Sequence, residues 1–374
     1  MESCRSLFRT SILTVVTLLI AIPFVWSDLG PAHKKRQARP IKLGTSGGNV
    51  NDHTSRFCCG GTLGALVKDA QGKKYILSNN HVLGMNNKAH VGDLVSQPAN
   101  IDVGCFPKDT DTVATLTRFI NIKYGAKANN KVDTSIAEII PGKVDASGFI
   151  MDVKVPGQPQ EAQVDMRVKK SGRTTGTRKG EIIAINLTVA VKIPNQCGST
   201  GGKIARFVDQ IGIEDAPGGT PTPFIDSGDS GSLLVQDVTN CPATIGLLFA
   251  GDDSGNATAN RIQNVLSALG SGMKMVGCAP PPAQAAREDM DALTMANPLV
   301  IRAAAIQERY QDALMSIPGV VGVGIGVAKA GSRELALVVY TQRGTQAAVA
   351  PNILPERLDG MPVRKKVTGG FVAL

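Results

Sequence analysis

Between residues 41 and 276, apolar positions come in short runs or alternate with polar ones, and Gly, Asn, Asp and Pro punctuate them. Segments 62–67, 74–77, 136–139, 181–193, 232–235 and 244–249 have the length and composition of strands. No helical segments alternate between them, so the pattern predicts an all-β sandwich or barrel and not a parallel α/β sheet. One helix is predicted at the end of this region. Residues 259–269 put Ile262, Val265, Leu266 and Leu269 on one face, and Gly270 follows as a stop signal.

The run Cys278-Ala279-Pro280-Pro281-Pro282-Ala283 reads as the core of a stiff linker over 279–286, and the character of the sequence changes beyond it. Residues 287–315 are rich in Ala, Glu, Gln and Leu and read as helical, with Pro298 breaking or starting a helix. Two strand-like runs follow, at 320–327 and 334–340, and then a Pro-bounded helical or loop stretch before 363–372. The expectation is a small α+β accessory domain over 287–374. It has no His and no Cys, so packing, regulation or partner binding is assigned to it, including oligomer formation.

Composition changes this picture mainly at the amino-terminal side. Arg5 and Arg9 precede an apolar run from Ile12 to Trp26, and a polar segment starts at Asp28. That is the pattern of a signal peptide over 1–27, cleaved after Ser27, and it predicts a secreted or periplasmic protein. Pro23 interrupts the run, so a membrane is a partner only if the segment stays uncleaved. Without Cys4, the set Cys58, Cys59, Cys105, Cys197, Cys241 and Cys278 is even, and disulfides are expected in an oxidising compartment. Their connectivity does not follow from spacing, although a bond between the adjacent Cys58 and Cys59 would be strained.

No CxxC or HxxxH pair is present, so neither a metal nor another cofactor is expected. The formal charge is +9, and its densest run, His33-Lys34-Lys35-Arg36-Gln37-Ala38-Arg39, reads as a solvated spacer or processing site within a basic linker or pro-segment over 28–40. Aromatic residues make up only 4%, which leaves no basic-aromatic surface for single-stranded nucleic acid. Gly198-Ser199-Thr200-Gly201-Gly202-Lys203-Ile204 lacks the spacing of a phosphate-binding loop.

The sharpest chemical signal is Gly228-Asp229-Ser230-Gly231-Ser232, leading into the apolar Leu233-Leu234-Val235. A serine hydroxyl needs a base to take its proton and donors to hold the oxyanion. Glycines at 228 and 231 allow the tight turn that aims N–H groups of Gly228 and Ser230 at a carbonyl oxygen. The same string is also an ordinary turn. All four histidines, His33, His53, His81 and His90, precede Ser230, which excludes the Ser, Asp, His order of α/β-hydrolases. His81 directly follows the strand-like 75–78, a rigid place for a base, and a turn histidine is the competing reading.

Taken together, Gly60-Gly61-Thr62-Leu63-Gly64-Ala65, Tyr75-Ile76-Leu77-Ser78-Asn79-Asn80-His81-Val82-Leu83, Val132-Asp133-Thr134-Ser135-Ile136-Ala137 and Gly228-Asp229-Ser230-Gly231-Ser232 resemble the trypsin-like (chymotrypsin-fold) serine peptidase family in order and setting. The resemblance covers about 41–276. Asn80 before His81 and Ser232 after Gly231 make it closest to the bacterial exported subgroup, as do Lys170-Ser171-Gly172-Arg173-Thr174-Thr175-Gly176 and Ile245-Gly246-Leu247-Leu248-Phe249-Ala250-Gly251. It implies an all-β double β-barrel with a C-terminal helix over 41–278, the second barrel starting near 165, followed by the small α+β unit.

Carried over, the resemblance makes His81 the general base, Asp133 its orienting carboxylate and Ser230 the nucleophile, with Gly228, Asp229 and Ser230 as the oxyanion turn. Asp102, Asp111 and Asp145 are rivals of Asp133. Phe224 falls at the primary-specificity position, which argues against an acidic pocket. Asp226, Leu248, Phe249, Ala250 and Gly251 complete the expected substrate-binding set, where an extended peptide can add as a strand.

The implied function is that of an exported serine endopeptidase acting on peptides or proteins through an acyl-enzyme. The alternative is a protease-fold binding or scaffold protein with little or no activity. A third reading has the tail from 316 to 374 docked on the cleft as an inhibitor or adaptor. The activating cleavage of the digestive relatives finds no counterpart in the sequence, since Pro40 follows Arg39.

Overall fold

A computed structural model of the chain describes residues 32–216, 223–279, 292–350 and 352–374. The leader expected over 1–27, including Cys4, and most of the linker expected over 279–286 lie outside the described residues. Two large β-sheets carry the structure. The first is eight-stranded and runs from Lys274–Met275 through Ala65–Lys68, Lys74–Ser78, Ser135–Ile139, Thr112–Phe119, Leu94–Ser96 and Thr45–Asn49 to Gly61–Leu63. Only Gly64 separates Gly61–Leu63 from Ala65–Lys68 in the chain, so the sheet rolls round a core of Leu63, Leu66, Ile76, Leu77, Val113 and Leu116.

The second sheet contains a closed ring. Gly176–Pro194, Arg167–Gly172, Leu233–Gln236, Thr244–Gly251, Ala257–Arg261 and Gly202–Asp215 pair in that order, and the last pairs back onto the first. Inward side chains such as Val168, Ile182, Ile211, Leu234 and Leu248 fill one core. The long hairpin of Gly176–Pro194 and Gly202–Asp215 continues past the ring to its end at Pro194↔Gly202. Its edges attract further strands: Val320–Val327 pairs with Gly176–Pro194, and Gly125–Asn130 with Gly202–Asp215.

The helix Pro298–Met315 starts at the predicted proline, with the Asn297 side chain accepting from Leu299 N–H as an N-cap. It buries Val300, Ala303 and Ile306 in the same core as Val323 and Leu337. The strands Val320–Val327, Leu335–Gln342 and Met361–Thr368, however, are hydrogen-bonded side by side into the second sheet. The exposed edge of the hairpin explains this, because unpaired main-chain groups beside apolar side chains invite another strand.

Two expectations need correction. The helix predicted over 259–269 forms only at Ile262–Leu269, because Ala257–Arg261 pairs on both sides, with Gly202–Asp215 and with Thr244–Gly251. Ladder hydrogen bonds there outweigh the helix preference of alanine. The basic run at 33–39 is docked and not a solvated spacer. His33 is buried with Nε2 3.1 Å from Ser171 Oγ, Arg36 pairs with Asp111, and Arg39 donates to the Gln97 and Asp111 carbonyls.

The cysteines pair as Cys58 with Cys105, Cys59 with Cys197, and Cys241 with Cys278. The second of these ties the tip of the long hairpin to the first sheet. The two sheets also meet backbone to backbone. Thr62 N–H donates to Ser230 O at 2.9 Å, and a Cβ at Gly64 would lie 1.9 Å from Gly231 O. Gly64→Ala is therefore expected to wedge the sheets apart, with a loss above about 3 kcal/mol in a denaturant melt. Gly48→Ala, whose Cβ would meet nothing nearer than 3.4 Å, should lose less than about 1 kcal/mol.

Candidate active site

His81 lies in the short helical turn Asn80–Leu83 immediately after the strand Lys74–Ser78. Ser78 pairs with Ser135, so this register brings Asp133, two residues before Ser135–Ile139, alongside the turn. His81 Nδ1 stands 2.5 Å from Asp133 Oδ2, and His81 N–H donates to Asp133 Oδ1 at 3.2 Å. The Asp133 side chain is fully buried. Its backbone is held from both sheets: Asn79 Nδ2 donates to its carbonyl, and its N–H donates to Asn260 Oδ1.

The rival carboxylates are engaged elsewhere. Asp102 accepts two hydrogen bonds from Arg173 and one from Ser46 Oγ, Asp111 takes both ends of the Arg36 fork, and Asp145 accepts from Ser147 in a surface turn. Of the other histidines, His53 lines the cleft beside His81, whereas His90 is exposed.

Ser230 comes from the second sheet, at the turn that feeds Leu233–Gln236. Its Oγ donates to Phe249 O at 3.0 Å. Gly228, at φ +95°, has its carbonyl fixed by Thr62 Oγ1 from the first sheet at 2.9 Å. The carbonyl of Asp229 accepts from Ser232 N–H and Oγ. This turn is therefore tied down on both sides.

The side chain of Asp229 turns inward and is fully buried, and so is its partner Lys170, with Nζ 2.9 Å from Oδ2. Asp229 also accepts from Thr174 N–H, Thr175 N–H, Thr175 Oγ1 and Asp226 N–H. Desolvation lowers the Lys170 pKa against the pull of Asp229. Lys170 and the Thr174-Thr175 turn escaped the sequence reading as partners of Asp229. The available signal was parity, since Val168 and Lys170 share one face of Arg167–Gly172 and Val168 is core.

A cleft of about 360 Å³ opens beside His81, lined by Asp52, Met85, Asn86, Arg173 and the Cys59–Cys197 disulfide. Burial weighs against charge on His81, but Asp133, the Leu374 oxygen and Asp52 outweigh it and raise its pKa above the ordinary histidine value. Burial also pushes the Asp52 carboxyl up to about 6, against the pull of His81, His53 and Lys88.

Of the expected substrate-binding residues, Phe249, Ala250 and Gly251 form the end of the strand Thr244–Gly251. Phe224 is fully buried, and it and Leu248 belong to the second core. Asp226 is exposed, with Oδ1 accepting from Ser227 N–H. The segment over 371–374 also reaches this place. Val372–Ala373 pairs antiparallel with the end of Thr244–Gly251, in the register Ala250↔Ala373 and Gly251↔Val372. His81 Nε2 then lies 3.2 Å from the main-chain oxygen of Leu374.

Two outcomes follow. Lys170→Met leaves a buried, unpaired Asp229 and should cost about 3–5 kcal/mol in a denaturant melt, much of it recovered in Lys170→Met/Asp229→Asn. Asp52→Asn removes a negative charge facing His81, so the imidazole pKa followed by NMR titration should fall toward the ordinary value.

No protein-family model and no curated protein matches the chain. Among solved structures, it is similar to Thermobifida fusca Protease A, with 19% identity over 64% of this chain and 99% of that one and a TM-score of 0.40. It is similar to a glutamic acid-specific serine protease that uses a histidine triad in substrate binding, at 17% identity, 63% and 100% coverage and a TM-score of 0.39. Cellulomonas bogoriensis chymotrypsin shows 18% identity, 64% and 99% coverage and a TM-score of 0.38.

Proposed function

We propose that the chain is an exported serine endopeptidase of trypsin-like, double-barrel architecture, with His81, Asp133 and Ser230 as its catalytic residues. One observation carries the reading. The buried Asp133 holds His81 Nδ1 at 2.5 Å, which leaves Nε2 facing the place where a main-chain oxygen arrives along Thr244–Gly251. That is where a general base must stand relative to a peptide laid on the strand.

For catalysis the Ser230 hydroxyl turns from Phe249 O toward His81 Nε2. The base takes its proton as Oγ attacks the peptide carbonyl, and Asp133 stabilises the imidazolium. The oxyanion is received by N–H groups of the turn at Gly228 and Ser230, a turn that Thr62 and the Lys170–Asp229 pair hold open. His81 then gives the proton to the leaving amine, and water releases the acyl group by the reverse steps. The three disulfides support an oxidising destination, in keeping with the leader pattern and a secreted or periplasmic protein.

A second reading, a protease-fold binding protein, is favoured by one observation: Leu374 occupies the hydrogen-bonding position of His81 Nε2 while Ser230 bonds elsewhere. A fluorophosphonate probe separates the two. Labelling at Ser230, mapped by peptide sequencing and lost in Ser230→Ala and His81→Ala, is the expected result. Folded protein that stays unlabelled, with and without residues 372–374, would support the binding protein instead.

A further inference from the structure

The strand Thr244–Gly251 is longer than its neighbour. Leu233–Gln236 pairs with it only from Thr244 to Leu247, so on that side the main chain from Phe249 onward is left for another strand. Val372–Ala373 takes this place and is bordered on its other side by the long hairpin, where Lys192 N–H donates to Phe371 O at 2.9 Å. Phe371 anchors the segment. It is buried in a third core with Phe207, Phe249 and Tyr340, and its ring meets Tyr340 edge-on at 6.0 Å. Upstream, Gly369 N–H donates to the buried Asp252 carboxylate at 2.7 Å.

The side chain of Leu374 ends in an apolar pocket. A Cβ at Gly251 would lie 2.9 Å from Leu374 Cδ1 and 2.5 Å from Ile225 Cγ2, so Leu374 and Ile225 pack against the same bare glycine. The surrounding core contains Phe224, Leu248 and Ala257. The nearby carboxylates are engaged: Asp252 holds Asn256 and Gly369, and Asp226 is exposed beside Ser227.

We infer that residues 371–374 occupy the acyl-side subsites of the chain's own cleft, and that these subsites select an extended apolar peptide of the type Phe-Val-Ala-Leu, cut after the leucine. The inference rests on the proposed peptidase reading for its cutting step, but not for binding. Ile225 and Gly251 are the specificity-determining residues: one supplies the apolar wall, and the other leaves room for the side chain. Because the segment is tethered, its local concentration is on the order of millimolar. A free peptide competes with it poorly, and the subsites along Thr244–Gly251 open only when 371–374 leaves.

The test uses the full chain, the same chain lacking residues 372–374, and Leu374→Asp, which keeps the length, each carrying Ser230→Ala. A fluorescein-labelled Phe-Val-Ala-Leu peptide is titrated in by polarisation. The truncated chain and Leu374→Asp should bind it at least about tenfold tighter than the full chain, and a Phe-Val-Ala-Asp peptide at least about tenfold more weakly. Equal binding to all three chains, or indifference to the last residue, would overturn the proposal. With Ser230 restored, truncation should lower KM for Phe-Val-Ala-Leu p-nitroanilide. Selective binding without fluorophosphonate labelling would sink the peptidase reading alone, and labelling without leucine selectivity would sink the subsite assignment alone.

Discussion

The buried pair of Lys170 and Asp229 is the constraint on which the rest of the site depends. An aspartate placed inside the protein next to the Ser230 turn has to meet a positive charge there, or its desolvation would drive the turn outward. Here a lysine of the adjoining strand Arg167–Gly172 supplies it, and Thr174, Thr175 and Asp226 complete the carboxylate's hydrogen bonds. The turn from Gly228 to Ser232 is thus held by the second sheet's own residues, without a chain end. Thr62 then reaches across from the first sheet and fixes the Gly228 carbonyl, which links the packing of the two sheets to the shape of the site.

Much of this was legible in the sequence because it is local. The strands Lys74–Ser78 and Val320–Val327 follow runs of apolar residues bounded by turn formers, and their ends lie within a residue or so of the expected ones. The Ser230 turn and the position of His81 after a strand could be read for the same reason. Asp133 needed the register of two strands, which the string of residues does not state. The ladder Ser78↔Ser135 supplies it.

What escaped the sequence is set by pairing between distant segments. Lys170 looked like one cation among many, and only its partner 59 positions on makes it structural. The basic run at 33–39 looked like a spacer because its acceptors, Asp111 and Gln97, lie far along the chain. The residues beyond 287 looked like a unit of their own because nothing in their composition reveals that the long hairpin offers them an edge. The leucine at 374 carries no motif, and its meaning comes from the strand it lies beside.

That strand has a further consequence. A length of backbone free to pair with an extended segment is also a template for other copies of the chain, and at high concentration it would seed intermolecular β-sheet. Val372–Ala373 keeps these donors and acceptors satisfied, with Phe371 locked beneath them. The segment that covers the end of this strand thereby acts as a gatekeeper against self-association. Losing it would expose the chain to fibril-like growth as well as opening its site.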